Sequence, residues 1–365
     1  MTGLKDPRAA LSSARRIVVK IGSRAITQDG AFAALAQQIA QLMERGHTIV
    51  LVSSGAVALG SRRLGLGARP RALPQLQAAA AVGQPRLVVA YEQAFASHGI
   101  AVAQVLLTHA DMADRRRYLN VRRAIDALIE LKTVAIVNEN DTVSTEEIEF
   151  GDNDQLAAMV APLLGADLLV LLTDVHGLLD AHKQRVSVVS DLADIRGFIW
   201  HEENGLSLGG MASKVAAAER ALQRGIPVAI AAAADADVLR RIVDGEDVGT
   251  LFLPAGAKLA SRKYWIAYTL KMRGTLVVDE GAARALVDGK RSLLPAGITS
   301  VRGRFRAGDA VSIEKLDGTQ LGRGLVRYDA RDVRRLLGAR SDEIESRLGH
   351  HDGDEVVHRD DLVVL

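Results

Sequence analysis

The sequence predicts an α/β fold, a mostly parallel open sheet sandwiched by helices, followed by a small β-rich domain. Three observations carry that expectation. From residue 16 to about residue 252, short β-branched or Leu-rich runs alternate with longer Ala-rich stretches, the texture of parallel strands joined by crossover helices. After Tyr264 the texture changes to short runs separated by turns at Gly303, Gly308, Gly318 and Gly322. The chain has 365 residues, 48% hydrophobic and 25% charged, long enough for about two or three domains and at least one large core.

Taken in order, the strand runs are residues 17–19, 48–52, 101–107, 134–137, 167–172 and 227–231. Between them, residues 32–44, 76–97, 115–131, 154–164 and 211–223 read as helices, with another opening at Val57. The helix over 154–164 is the clearest, because Leu156, Met159, Val160, Leu163 and Leu164 recur at helical spacing and predict one apolar stripe. These elements make residues 1–262 the first domain and 263–272 a linker. Residues 273–365 form the second, with runs at 276–278, 310–313 and 324–326 and a helix near 332–337.

Composition excludes several classes. With 46 Lys+Arg against 44 Asp+Glu, neither a basic nucleic-acid tail nor an acidic solvating one dominates. With 0 Cys there is no disulfide framework, thiolate nucleophile or cysteine-ligated metal, which suits a reducing cytosol. No run approaches the ~20 apolar residues of a membrane span, and no apolar stretch before Arg15 resembles a secretory signal, so a cytoplasmic protein is expected.

Two familiar nucleotide signatures fail. Gly65-Leu66-Gly67 lacks a third glycine and a strand-to-helix setting, and Gly289-Lys290 has no upstream phosphate-loop glycine. Four other strand-to-helix junctions look like parts of one site, since open parallel sheets bind ligands beyond the carboxyl ends of their strands. In VVKIGS (18–23), Lys20 is either a snorkelling strand-end charge or a phosphate ligand. In LVSSGA (51–56), Ser53 or Ser54 reads most simply as an N-cap, and the same amides would suit a substrate carboxylate.

In VNENDTV (137–143) and FGDNDQL (150–156), Asp152 or Asn153 can cap the next helix. Asn138, Glu139, Asn140, Asp141 and Asp154 are then left for a solvated loop, or for an ammonium group, Mg²⁺ or lysines that need orienting. In LSLGGMASK (206–214), Lys214 falls in a helical first turn, where the dipole disfavours a cation unless a phosphate sits there; a plain exposed lysine is the alternative. Two lysines, amides at two helix starts and several carboxylates suit phosphoryl transfer, which needs positioning and charge neutralisation more than covalent chemistry.

The ordered set VVKIGS, LVSSGA, VNENDTV, FGDNDQL, LLTDVHGL and LGGMASK closely resembles the glutamate 5-kinases of the amino-acid kinase family across residues 15–262. SLLPAGI (292–298) and VHRDDL (357–362) resemble the PUA domain that many of them carry. The resemblance implies the amino-acid kinase fold with a PUA-like second domain. It implies Lys20 and Lys214 neutralising the transferred phosphoryl group, Asp154 orienting both lysines, and Ser54, Asp141 and Asn153 holding L-glutamate. Lys20, Thr173, Asp174, Leu208, Gly209, Gly210, Met211, Ala212, Ser213 and Lys214 would line the ATP site, with Mg²⁺ as companion ion. The implied reaction makes glutamyl 5-phosphate, the first step of proline synthesis, with proline as feedback inhibitor and a homo-oligomer, dimer or tetramer, as the assembly.

The chain departs from the family pattern in three places. Leu179 to His182 replace a Tyr and Asp-Pro segment, and the stretch to Leu208 is short. Leu208 stands where a Thr is usual, and Ser23 and Arg24 replace Thr-Ser. Two other readings follow: a regulatory protein that keeps the fold with a weakened nucleotide site, and another carboxylate kinase of the same family. RNA binding by residues 273–365 would need Arg302, Arg304 and Arg306 to share a strand face, against a balance of 16 basic and 16 acidic residues there.

Overall fold

The structure is a computed structural model that describes residues 7–143, 153–195, 210–254, 266, 270, 272–289 and 291–364. The chain divides into two compact units, Met1–Lys258 and Leu259–Leu365.

The first unit is built on β1 (Arg16–Ile21), β2 (Thr48–Ser53), β3 (Val102–Leu107), β4 (Val134–Glu139), β5 (Leu168–Thr173), β6 (Val188–Val189), β7 (Val228–Ala232) and β8 (Thr250–Phe252). They form one sheet in the order β3-β4-β2-β1-β5-β7-β8-β6, parallel throughout except where β7 meets β8. The six longer strands lie where the sequence predicts them. β6 and β8 span two and three residues, too short to show an alternating pattern.

The helices are α1 (Ser23–Ile26), α2 (Ala31–Glu44), α3 (Ala56–Arg63), α4 (Leu73–Ala96), α5 (His109–Ala113), α6 (Arg115–Glu130), α7 (Asn153–Leu164), α8 (Met211–Leu222) and α9 (Val238–Val243). Covered on both faces, β5 is buried at every position, as a central parallel strand should be. On β1, Ile17, Val19 and Ile21 enter the core shared with α2, α4 and α9, so the period of two sends Val18 and Lys20 to the other face, toward α7.

Helix α7 corrects one expectation. Instead of a single apolar stripe, Ala157, Ala158, Ala161 and Pro162 are buried as well as the predicted leucines. The reason is its place: it packs on β1 and β5 on one side and against α8 on the other. Its first residues, Asn153 and Asp154, are therefore carried into the interior.

Helices α3 and α4 cross closely because both carry glycine at the crossing. A methyl group on Gly60 would overlap the Ala79 carbonyl oxygen, and one on Gly83 would overlap that of Ala56. That crossing sets the position of the α3 N-terminus.

The second unit holds β9 (Gly274–Val278), α10 (Glu280–Val287), β10 (Ile298–Gly303), β11 (Ala310–Lys315), β12 (Gln320–Leu325), α11 (Ala330–Arg335), α12 (Ile344–Leu348) and β13 (Leu362–Val364). Its sheet order is β10-β9-β11-β12-β13, antiparallel except between β9 and β11. The run at 324–326 proves to be the end of β12, and the helix near 332–337 begins at Ala330, where Asp329 accepts hydrogen bonds from the Arg331 and Asp332 amides. The shared arginine face does not exist: Arg302 is on β10, whereas Arg304 and Arg306 lie beyond its end.

Candidate active site

The carboxyl ends of β1, β2, β4 and β5 meet the starts of α3, α7 and α8. Lys20 Nζ lies 2.6 Å from Asp154 Oδ1, and Lys214 Nζ lies 3.1 Å from Asp154 Oδ2. Asp154 is fully buried and the two lysine side chains are nearly so, 5% and 9% exposed. One carboxylate thus holds two cations that would otherwise repel each other, and the cluster keeps one net positive charge in a region of low dielectric.

Asn153, one residue earlier, is the second junction. Its amide nitrogen donates toward the Ser53 carbonyl at 3.0 Å, Ser54 Oγ at 2.9 Å and Asn138 Oδ1 at 2.8 Å, tying α7 to β2 and β4. Its amide oxygen is buried with no hydrogen-bond partner among the described residues. Asn138 in turn donates to Gln84 Oε1 on α4 at 2.8 Å.

The two serines do not cap α3. Gly55 is the cap residue, with φ at +117°, a conformation glycine adopts without strain, and no side chain bonds the first-turn amides. Ser53 instead shares a hydrogen bond of 2.7 Å with the buried Tyr91 hydroxyl, while Ser54 faces Asn153. The α3 amides are left available for an anion.

These groups open into a cleft of about 660 Å³ that Ser54, Asn138, Asp141 and Asn153 line together with Arg24 and Arg69. Burial pushes the Asp141 carboxyl up to about 6, and the nearby Arg69 charge only partly offsets it. A carboxylate held short of cationic partners suits an incoming ammonium group. Arg69 lies in the exposed turn between α3 and α4 and makes no ion pair among the described residues. No local signal marks Arg69 in the sequence, because an arginine between Gly67 and Pro70 looks like any solvated charge.

On the β5 side, the Thr173 hydroxyl donates to Asp174 Oδ1 at 3.0 Å, and Arg24 reaches Asp174 Oδ2 at 2.8 Å. That contact gives Arg24 a place, as a bridge between the ends of β1 and β5. Burial raises the Asp174 carboxyl, but the Thr173 hydroxyl, its own backbone amide and the charges of Arg24 and Lys214 outweigh it and hold it below the usual carboxylate range. Thr173 and Asp174 line a second cleft, of about 480 Å³, with the turn before α2 and residues 233–237. Gly210 precedes α8 without a side-chain cap, and Met211, Ala212, Ser213 and Lys214 form its first turn. Leu208 and Gly209 lie outside the described residues.

Two lysines paired on one carboxylate, with uncapped helix starts beside them and two clefts nearby, are the arrangement a phosphotransferase needs. A family model described as the amino acid kinase family matches residues 15–232, and one described as the PUA domain matches residues 274–348. The protein named glutamate 5-kinase in Myxococcus xanthus (strain DK1622) is 48% identical over 100% of both chains. The one in Azoarcus sp. (strain BH72) is 49% identical over 98% of this chain and 100% of its own, and that of Syntrophus aciditrophicus (strain SB) 44% over 97% and 95%. The chain belongs to the amino acid kinase family and, within it, to the glutamate 5-kinases. No described helix is long and apolar enough to cross a membrane.

Proposed function

We infer that this chain transfers the γ-phosphoryl group of ATP to the side-chain carboxylate of L-glutamate, yielding glutamyl 5-phosphate and ADP, the step that commits glutamate to proline synthesis. The observation that carries the reading is the Lys20–Asp154–Lys214 cluster, whose Asp154 directly follows Asn153, a residue that lines the 660 Å³ cleft. A carboxylate oxygen forms the new bond to phosphorus while the bond to the ADP oxygen breaks. No proton moves, because the acceptor is already ionised at neutral pH. The site therefore needs no general base; it needs charge where the transferring group passes, and two ammonium groups held by one carboxylate supply it.

In this reading the side-chain end of glutamate points toward Ser54, Asn153 and the α3 amides, next to the lysines. The α-ammonium meets Asp141 and the unpartnered Asn153 oxygen. The α-carboxylate meets Arg69, whose charge lies close enough to Asp141 to oppose the rise in its pKa. Nucleotide phosphates lie over the first turn of α8, with Thr173 and Asp174 beside them.

The residues fit an Mg²⁺ ion that arrives with ATP. Both Asp154 oxygens are occupied by lysines, and the described residues contain no group of three or more carboxylates or imidazoles that would cage a metal. Such an ion would neutralise phosphate charge when bound with the nucleotide. The reading also places proline as a feedback ligand of the glutamate cleft: it shares the α-carboxylate and α-nitrogen but offers no side-chain oxygen to phosphorylate. A cytoplasmic, homo-oligomeric enzyme completes it.

The test is acyl-phosphate trapping. Protein, Mg-ATP and hydroxylamine are incubated with L-glutamate, acetylglutamate, aspartate, or bicarbonate with ammonia, and ADP release is followed in parallel. Hydroxamate and ADP are expected with L-glutamate alone; hydroxamate from another acceptor, or none from any, contradicts the reading.

A further inference from the structure

The second unit contains a cleft of about 870 Å³ whose walls carry Arg273, Arg304, Arg306, Arg331 and Arg334 around the buried ring of Phe305. None of the five forms an ion pair among the described residues. Two carboxylates, Asp309 and Asp329, also line the cleft, but they serve the backbone. Asp309 accepts the Arg306 amide at 2.8 Å, and Asp329 accepts the amides of Arg331 at 2.7 Å and Asp332 at 3.0 Å. Five arginines thus line the cleft against two carboxylates, of which Asp329 also feels the Arg331 charge, and both carboxylates fix the loops that present the arginines. The domain as a whole has 16 basic and 16 acidic residues, so the surplus in the cleft comes from segregation, not from composition.

The walls are also fixed in place. Phe305 packs so closely on Gly274 that a methyl group there would overlap the ring. The Phe305 carbonyl accepts the Ala330 amide at 3.0 Å, which ties the loop after β10 to the start of α11. Arg334 donates to the Gly303 carbonyl at 2.8 Å across the same gap. Clustered like charges oppose folding unless something compensates them, and a rigid frame keeps them from spreading apart.

We propose that this cleft binds a small polyanion carrying two or more linked phosphate groups. Guanidinium forks match phosphate oxygens two at a time, and arginines arriving from three segments surround a compact ligand. A nucleic-acid backbone would call for a stripe of charge along one face, and Arg302, the arginine that would extend one along β10, instead faces Glu314 at 3.7 Å.

The experiment is calorimetric titration of the full chain with tripolyphosphate, with ADP and Mg²⁺ present to fill the kinase unit. One tripolyphosphate per chain is expected, binding at least about tenfold more tightly than inorganic phosphate. Arg304→Ser and Arg334→Ser should each weaken it about tenfold or more, the usual loss of a charge-assisted hydrogen bond, with the glutamate-dependent rate unchanged. Absence of binding, or binding that survives both substitutions, overturns the proposal. So does a single-stranded RNA 12-mer that binds more tightly than tripolyphosphate and depends on the same arginines, since that makes the cleft part of a polynucleotide surface.

Discussion

The two ends of the proposed glutamate site are built differently. At the inner end, Lys20, Asp154 and Lys214 are buried on a strand and two helices, each ammonium fixed to its own carboxylate oxygen. At the outer end, Arg69 stands on an exposed turn, and Asp141, with its charge incompletely matched, lies just past β4. The inner end must be complete before substrate arrives, because buried cations without a counter-charge would be expelled or neutralised. In the proposed reading the outer end can be left open, because the zwitterion of the substrate would bring the missing charges. The inner groups should therefore govern kcat and the outer ones KM.

The hardest blow to that division is Asp154→Asn. Removing the shared carboxylate leaves two buried lysines in mutual repulsion, so kcat should fall by about 10³ or more, with a stability loss of about 3–5 kcal/mol visible in denaturant melts. A stable variant with near-normal kcat would remove the cluster from the mechanism. Next in size, Lys214→Ala should lower kcat by roughly 100-fold, the scale of losing one transition-state charge partner, with little change in the glutamate KM.

At the outer end, Asp141→Asn should raise the glutamate KM by about tenfold or more, as expected for a lost charged hydrogen bond, while kcat stays within about threefold. Arg69→Ala should raise it by about tenfold and narrow the preference for glutamate over 4-aminobutyrate, which lacks the α-carboxylate. An unchanged preference would detach Arg69 from the substrate. The smallest effect is that of pH. If Asp141 holds the α-ammonium, it does so only when ionised, and with its pKa pushed up to about 6, kcat/KM for glutamate should drop as pH falls through 6, reaching about a tenth near pH 5. Asp141→Asn should abolish that limb.

Much of the inner end was legible in the sequence. Lys20 ends an apolar strand and Lys214 sits in a first turn where the dipole opposes it, each a local conflict that points to a ligand. Asp154 stood out because one cap cannot use all the polar residues around it. The outer end was less legible, because its logic is tertiary. Nothing local distinguishes Arg69 from Arg62 or Arg63, and Asp141 owes its shifted pKa to burial that only the fold creates. The serines misled for a related reason: the rule that places Ser at an N-cap is local, whereas Ser53 is claimed by Tyr91 and Ser54 by Asn153, 38 and 99 residues away. Likewise the apolar periodicity of α7 suggests an amphipathic helix because alanines count weakly in any stripe, yet Ala157, Ala158 and Ala161 are as buried as the leucines in a helix packed on both the sheet and α8.

The crossing of α3 and α4 connects these levels. Gly60 and Gly83 look like helix-weakening residues, but each lets a backbone approach that no other side chain permits. The α3 amides and Asn138, through Gln84, take their positions from that approach.

The most direct measurement is a side-by-side steady-state analysis of Lys214→Ala and Arg69→Ala with varied L-glutamate at saturating Mg-ATP. A fall of about 100-fold confined to kcat is expected in the first and a rise of about tenfold confined to KM in the second. Both variants shifting the same parameter, or the two effects exchanged, would contradict the division between the two ends.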